Sequence, residues 1–157
     1  MTTSFDTRPG TYGVRPSGGP VVDHVMGWMD RQLERPGVRR LVGRLGFRAI
    51  VLTTVGRRTG IDRSRVVIGV PDTDGGWLVV AAAGGTAANP EWYHNVAAHP
   101  DDVRIDVDGR TIAVTARQLH GAERTEAWQR FTEKAPWFLG FQGRTDRELP
   151  VIRLMPR

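Results

Sequence analysis

Six short runs of β-branched and aliphatic residues, all in the C-terminal two thirds of the chain, constrain the fold more than any other feature. Turn residues separate them, as at Asp108-Gly109, and this arrangement is typical of short antiparallel strands. The first three runs have no helical segment between them, so we predict a β meander there. The predicted strands are residues 47–55, 64–71, 76–83, 103–107, 111–119 and 150–156.

Helical patterns precede and interrupt these strands. Apolar residues recur at helical spacing over residues 21–35, which predicts an amphipathic N-terminal helix. Asn89 suits an N-cap and Pro90 a first turn, so we predict a short helix that ends at Pro100, and another helix begins near Gly121. The pattern indicates a mainly β, α+β fold: a small closed barrel of about six antiparallel strands whose ends are covered by helices.

The chain has 157 residues, 39% of them hydrophobic, which fits one globular domain. Residues 1–20 are rich in Gly, Pro, Thr and Ser and are predicted to form a flexible arm; residues 21–157 are predicted to form one barrel domain with an N-terminal helix. No apolar run approaches a membrane span and no signal-peptide core is visible, so we expect a cytoplasmic protein. Docking of the helix on the core is favoured, and weak association of this helix with a membrane surface stays open.

Several common chemistries are excluded. The sequence has no Cys, which removes thiolate nucleophiles and Cys-ligated metals. Ser64 is the only serine after the arm and has no nucleophile elbow. No Walker or dinucleotide-binding glycine motif occurs, and the four histidines lack zinc-site spacing. We expect no metal site, and no catalytic side chain is identified.

Arginines cluster around the turn between the first two predicted strands. Of 22 basic residues only Lys134 is a lysine, and Arg57, Arg58 and Arg63 flank Gly60. Several guanidinium and backbone N–H groups could therefore converge on a phosphate. A solvated surface hairpin explains this segment equally well.

The third predicted strand ends in small residues, from Ala81 to Gly85. They permit close approach of a flat ligand, and the helix that begins near Asn89 points its positive end toward the same gap. Tight packing of strand against helix is the competing explanation, although it accounts less well for Trp92 and Tyr93.

Together these segments resemble the deazaflavin-dependent nitroreductase family. Members of that family use the reduced coenzyme F420 and are related to the FMN-binding split β-barrels. The resemblance runs through LTTVGRRTGIDR, AAAGGTAANPEWYHNVAAHPDDVRIDVDGRTIAVTAR and QGRTDRELPVIRL, over roughly residues 50–154. It rests on the order and spacing of Thr-Gly, Gly-Gly, Asn-Pro-x-Trp-Tyr and Thr-Asp-Arg-x-x-Pro. The resemblance implies a split β-barrel and reduced coenzyme F420 (F420H2) as the cofactor, with FMN less favoured.

The resemblance also implies site residues. The phosphate and glutamyl tail of the coenzyme would lie on the arginine turn, and its ring and ribityl chain between the second and third strands and the short helix. The implied cofactor-binding residues are Arg57, Arg58, Thr59, Arg63, Ser64, Arg65, Val66, Val67, Ile68, Val80, Ala81, Ala82, Ala83, Trp92, Tyr93 and Asn95. The implied substrate-lining residues are Trp137, Phe138 and Phe141. Packing of these aromatic side chains in the core explains them about as well.

Two departures from well-studied nitroreductases of that family bear on the substrate. Ala82-Ala83 stands in place of Ser-Lys, and Ala135, Phe138 and Phe141 stand in place of tyrosines. Because hydroxyl donors near the ring are missing, we expect poor nitro reduction and a flat apolar acceptor, a quinone, an enone or a nitro compound.

The expected activity is transfer of a hydride from the reduced deazaflavin to such an acceptor. A non-catalytic carrier of the coenzyme is the main alternative; an FMN- or haem-binding barrel and a nucleic-acid binder are less favoured. We expect a small-molecule acceptor and no nucleic acid as partners, and a homodimer stays open.

Overall fold

The computed structural model describes residues 5–15, 31, 35–38 and 44–157. Except at positions 31 and 35, the predicted N-terminal helix lies outside these residues. Its docking on the core and its contact with a membrane surface therefore stay predictions. Within the described part, no helix is long and apolar enough to cross a membrane.

Six antiparallel strands close into a barrel. The order around the barrel is β1-β2-β3-β6-β5-β4, and β4 pairs with β1 to close it. The predicted meander of the first three strands is confirmed, as is the α+β class with six antiparallel strands. The strands are β1 (Arg48–Val55), β2 (Asp62–Pro71), β3 (Trp77–Val80), β4 (Val103–Val107), β5 (Arg110–Gln118) and β6 (Val151–Pro156).

Among residues 44–157 the chain also forms the helices α1 (Glu91–Ala98), α2 (Gly121–Lys134) and α3 (Trp137–Gln142), and a 3-10 turn covers Ala83–Gly85. The prediction that Asn89 caps α1 is wrong. Pro90 occupies the N-cap position, and no side chain caps the helix. Asn89 is instead buried and accepts a hydrogen bond from Arg147.

Two apolar cores lie on the two faces of the barrel wall. One fills the barrel interior, with Ile50 and Leu52 of β1 among its members. The other packs the outer face against α2 and α3, with Phe131 and Phe138 among its members. Strand β6 contributes to both, which explains why Val151–Leu154 is buried throughout instead of alternating.

The described part of the predicted flexible arm, residues 5–15, lies against the barrel. Phe5 packs on the interior core, and the backbone N–H of Asp6 donates to Gln118 Oε1 over 3.0 Å. Further along, Val14 forms a parallel bridge with Thr86. Hydrogen bonds from this segment to distant residues of the barrel offset the entropy lost when the segment is ordered. The polar composition of the arm does not predict these bonds.

Candidate functional site

An open, strongly cationic cavity of about 500 Å³ lies beside the turn between β1 and β2. We call it the arginine cavity. Residues from the turn, from the start of β2 and from the first turns of α1 form its walls. It is lined by Gly56, Arg57, Arg58, Thr59, Asp62, Arg63, Ser64, Arg65, Glu91, Trp92 and Asn95.

Backbone and side-chain hydrogen bonds fix the turn that carries the arginines. The N–H of Gly56 donates to Ile61 O over 2.9 Å, and Gly60 adopts a φ of 69°, which favours glycine. The buried amide of Asn95 joins this turn to α1: its Oδ1 accepts from the Arg57 N–H, and its Nδ2 donates to Thr54 Oγ1. Asn95 therefore positions the arginine turn relative to the helix.

Positive charge dominates the arginine cavity. Arg57 forms an ion pair of 2.5 Å with Glu91, and Asp62 is paired with Arg104, which does not line the cavity. Within the described part of the chain, the guanidinium groups of Arg58, Arg63 and Arg65 make no hydrogen bond or ion pair. These groups remain available for an anion.

A second, mainly apolar cavity of about 520 Å³ adjoins the first. We call it the apolar cavity. Its walls come from β2, β3, the Ala83–Gly85 turn and α3, and Arg65, Glu91 and Trp92 belong to both cavities. The lining residues are Arg65, Val66, Val67, Ile68, Val80, Ala82, Ala83, Gly84, Pro90, Glu91, Trp92, Phe138 and Phe141.

The structure brings most of the sequence-predicted site residues to these two cavities, with three exceptions. Tyr93 is fully buried in the barrel interior, where its hydroxyl donates to Asp6 O over 2.9 Å and contacts Gln118 Oε1. Burial raises the pKa of this phenol. Ala81 is also fully buried, and neither residue lines the arginine cavity or the apolar cavity. Tyr93 and Ala81 are core residues.

Trp137, predicted to line the substrate site, lies outside the apolar cavity. Its side chain is partly exposed, and its ring packs edge-on against Phe47 at 5.2 Å between centroids. Phe138 does line the cavity, although it is also a member of the outer core, with its ring 4.8 Å from that of Phe131. Phe138 therefore forms part of the cavity wall and part of the outer core.

The sequence prediction missed several lining residues. Glu91 and Pro90 come from the first turn of α1, Asp62 from β2, and Gly56 and Gly84 from turns. Glu91 is the most informative of these, because an acidic residue in a predicted anion site runs against the charge expected there. Its position next to Asn-Pro at the helix start was the available signal.

The chain matches the family model described as F420H(2)-dependent quinone reductase over residues 26–156. It is 36% identical to an F420H(2)-dependent quinone reductase of Mycobacterium tuberculosis, covering 73% of this chain and 82% of that protein. A solved F420-H2 dependent reductase superposes with a TM-score of 0.61 at 31% identity, covering 69% of this chain and 93% of that one.

Two further structures extend the comparison. One described as a domain-swapped dimer gives a TM-score of 0.62 at 31% identity, with 85% of this chain and 98% of that chain covered. The haem storage protein of Vibrio cholerae shares the fold alone, at 15% identity, a TM-score of 0.53, and coverage of 80% and 90%.

The resemblance seen in the sequence is therefore correct in its coenzyme class. The nitroreductase assignment within the FMN-binding split-barrel superfamily is not confirmed. From the extent of the family match and the identity to its members, this chain belongs to the F420H(2)-dependent quinone reductase family.

Proposed function

We propose that this protein is a reductase that binds reduced coenzyme F420 and reduces a quinone. The observation that carries the proposal is the junction of the arginine cavity and the apolar cavity through the shared wall of Arg65, Glu91 and Trp92. A ligand with a flat ring at one end and a polyanionic tail at the other matches this pair of cavities. The names of the related proteins support the same coenzyme.

The residues present fit the two ends of the coenzyme. Arg58, Arg63 and Arg65 would hold the phosphate and glutamyl carboxylates, because their guanidinium groups are not engaged by other side chains in the described part of the chain. The ring would lie between Val66–Ile68 side chains on one side and the small residues after β3 on the other. When bound, the reduced deazaflavin supplies a hydride to the acceptor.

The acceptor side of the apolar cavity is formed by Phe138 and Phe141, whose rings lie 5.2 Å apart in an edge-on arrangement. No hydroxyl group comes from these two positions, so acceptors that need a side-chain proton donor are disfavoured. We therefore propose a quinone as the preferred acceptor, with enones second and nitro compounds poor.

Binding and salt dependence test the cofactor assignment. The purified protein would be titrated with F420 and with FMN, following fluorescence, at low and high salt. We expect tight F420 binding that weakens with salt, and a loss of about tenfold in Arg58→Ala and Arg63→Ala, because each variant removes one charge-assisted contact. Arg110→Ala, an exposed arginine on β5, is the matched control. Preference for FMN would contradict the proposal.

A carrier that binds the coenzyme without catalysis would show the same binding, so turnover must be measured separately. Reduced coenzyme bound to an excess of protein would be mixed with menadione, with an enone and with a nitroarene. Oxidation of the bound coenzyme faster than that of the free coenzyme supports the reductase. No acceleration with any acceptor would favour the carrier.

We also propose that the protein forms a homodimer, since a structural relative at 31% identity is described as a domain-swapped dimer. Sedimentation velocity at micromolar concentration tests this proposal, and a single monomeric species would contradict it.

A further inference from the structure

The motif Thr145-Asp146-Arg147 follows α3 and has no part in the cofactor contacts proposed above. The side chain of Arg147 is buried and carries a charge, yet within the described part of the chain no carboxylate pairs with it. Burial lowers the pKa of this guanidinium from its ordinary value. A buried arginine without a counter-ion is costly, so its hydrogen bonds must compensate.

Four acceptors surround the guanidinium group of Arg147. Its Nε donates to Thr86 O over 2.8 Å, and its Nη2 donates to Ala82 O over 2.7 Å. Its Nη1 donates to Ala81 O and to Asn89 Oδ1, each over 2.9 Å. One planar group thereby ties together both ends of the turn between β3 and α1.

This turn has an unfavourable backbone conformation. Ala83, Gly84 and Gly85 have φ angles of 46°, 67° and 87° in succession, and Ala83 is not a glycine. Such a conformation persists only where surrounding contacts determine it. Ala82, Ala83 and Gly84 are also the residues that form one wall of the apolar cavity.

The two residues before Arg147 hold the other side of the same turn. Thr145 Oγ1 donates to Tyr12 O over 2.7 Å, and Asp146 Oδ1 accepts from the Thr11 N–H over 2.8 Å. The arm segment fixed in this way donates from the Val14 N–H to Gly85 O over 3.0 Å. The motif therefore clamps the turn from the barrel side and from the arm side.

We propose that Arg147 is a positioning residue, which sets the place of the wall formed by residues 82–84 against the flat ring of the coenzyme. Arg147 does not line the apolar cavity, so it acts through the backbone carbonyls that it holds. The proposal rests on the proposed function, because it takes the apolar cavity as the site of the ring.

Ring binding is separated from tail binding by two ligands, complete F420 and the deazaflavin ribityl compound that lacks the phosphate and tail. In Arg147→Lys we expect the Kd for both ligands to rise by about tenfold, because an amine cannot reproduce the fork and the wall moves. The salt dependence of F420 binding should stay that of the wild type, since the arginine cavity is intact. The emission of the bound ring should shift toward that of the free ring.

Arg124→Lys is the matched control. Arg124 is also largely buried, donates to the backbone carbonyl Leu149 O over 2.9 Å and pairs with Glu148, but it lines neither cavity. We expect this variant to lose thermal stability without a change in either Kd. A general loss of stability therefore cannot imitate the effect predicted for Arg147.

The outcomes separate the two proposals. If the wild type binds neither ligand, the proposed function fails. If the wild type binds both and Arg147→Lys binds them with unchanged Kd and emission, Arg147 is not a positioning residue. Should Arg147→Lys not fold, Asn89→Ala removes one acceptor of the same guanidinium, and a rise of about threefold in both Kd values is expected; unchanged values would overturn the proposal.

Discussion

The Nη1 atom of Arg57 lies 2.5 Å from the Oε2 atom of Glu91, beside the wall shared by the two cavities. The hydrogen bond from Arg57 holds the pKa of Glu91 below its ordinary value. Glu91 is therefore ionised at neutral pH, and it occupies a guanidinium group that an anionic ligand could otherwise use. This ion pair reduces the net positive charge of the arginine cavity.

Glu91→Gln is expected to strengthen binding of F420 by about threefold at low salt, because one competing negative charge is removed from an exposed side chain. The gain should shrink at high salt. Fluorescence titration measures it, with Glu126→Gln, an exposed glutamate on α2, as the control. Weaker binding in Glu91→Gln would indicate that Glu91 orients Arg57 for the ligand instead.

Asp72 stabilises the fold through a buried ion-pair network. Its carboxylate accepts from Arg153 Nε over 2.5 Å and from Arg130 Nη2 over 2.8 Å. Asp72→Asn removes the carboxylate charge that both guanidinium groups share, although Arg153 keeps a second ion pair with Glu123, and should lower the free energy of unfolding by about 3 kcal/mol. Urea denaturation measures this loss. Asp74→Asn, in the same turn, should change it by less than about 0.5 kcal/mol.

The same carboxylate should make stability depend on pH. Burial by itself would raise the pKa of Asp72, but the hydrogen bonds from Arg153, the Thr73 N–H and Arg130 lower it below the ordinary 3.8. The stabilisation is thus fully present above pH 3.8 and is lost as the pH falls through the lowered pKa. Below pH 5, we expect the free energy of unfolding to fall less steeply with pH in Asp72→Asn than in the wild type. Equal pH dependence in the two proteins would contradict the assignment.

Asp146 should hold the arm segment in place. In Asp146→Ala the backbone N–H groups of Thr11 and Tyr12 lose their acceptor. We expect their hydrogen exchange to accelerate by about tenfold, while the core strands keep their protection. Asp101→Asn, an exposed aspartate before β4, is the control. Unchanged exchange at Thr11 would show that other contacts hold the arm.

Gly85 should tolerate no side chain. An added Cβ would lie 2.5 Å from Phe141 O and 2.9 Å from Arg144 Cβ, at a φ of 87°. Gly85→Ala should destabilise the protein by about 3 kcal/mol, through overlap and backbone strain together. Gly109→Ala has a φ of 80° but open space around the new Cβ, so strain alone should cost about 1 kcal/mol. Thermal unfolding compares the two variants.

The strands and the arginine turn were predictable because their signals are local. The run of β-branched and aliphatic residues in β1 and the Asp108-Gly109 turn are signals between near neighbours in sequence, and both appear in the structure where the pattern indicated. Tyr93 and Trp137 were misplaced for the opposite reason. The local sequence around an aromatic residue beside a site motif does not show whether its side chain faces the barrel interior, the cavity or solvent.

The sequence by itself therefore determined six antiparallel strands, a cluster of arginines at one turn and a stretch of small residues after β3. Only the tertiary structure decided that the arginine and apolar cavities share a wall, that Glu91 engages Arg57, and that Arg147 holds the carbonyls of Ala81, Ala82 and Thr86. Those contacts join segments distant in the chain. These contacts form because barrel closure places the segments next to one another, and the local propensities of each segment do not determine that arrangement.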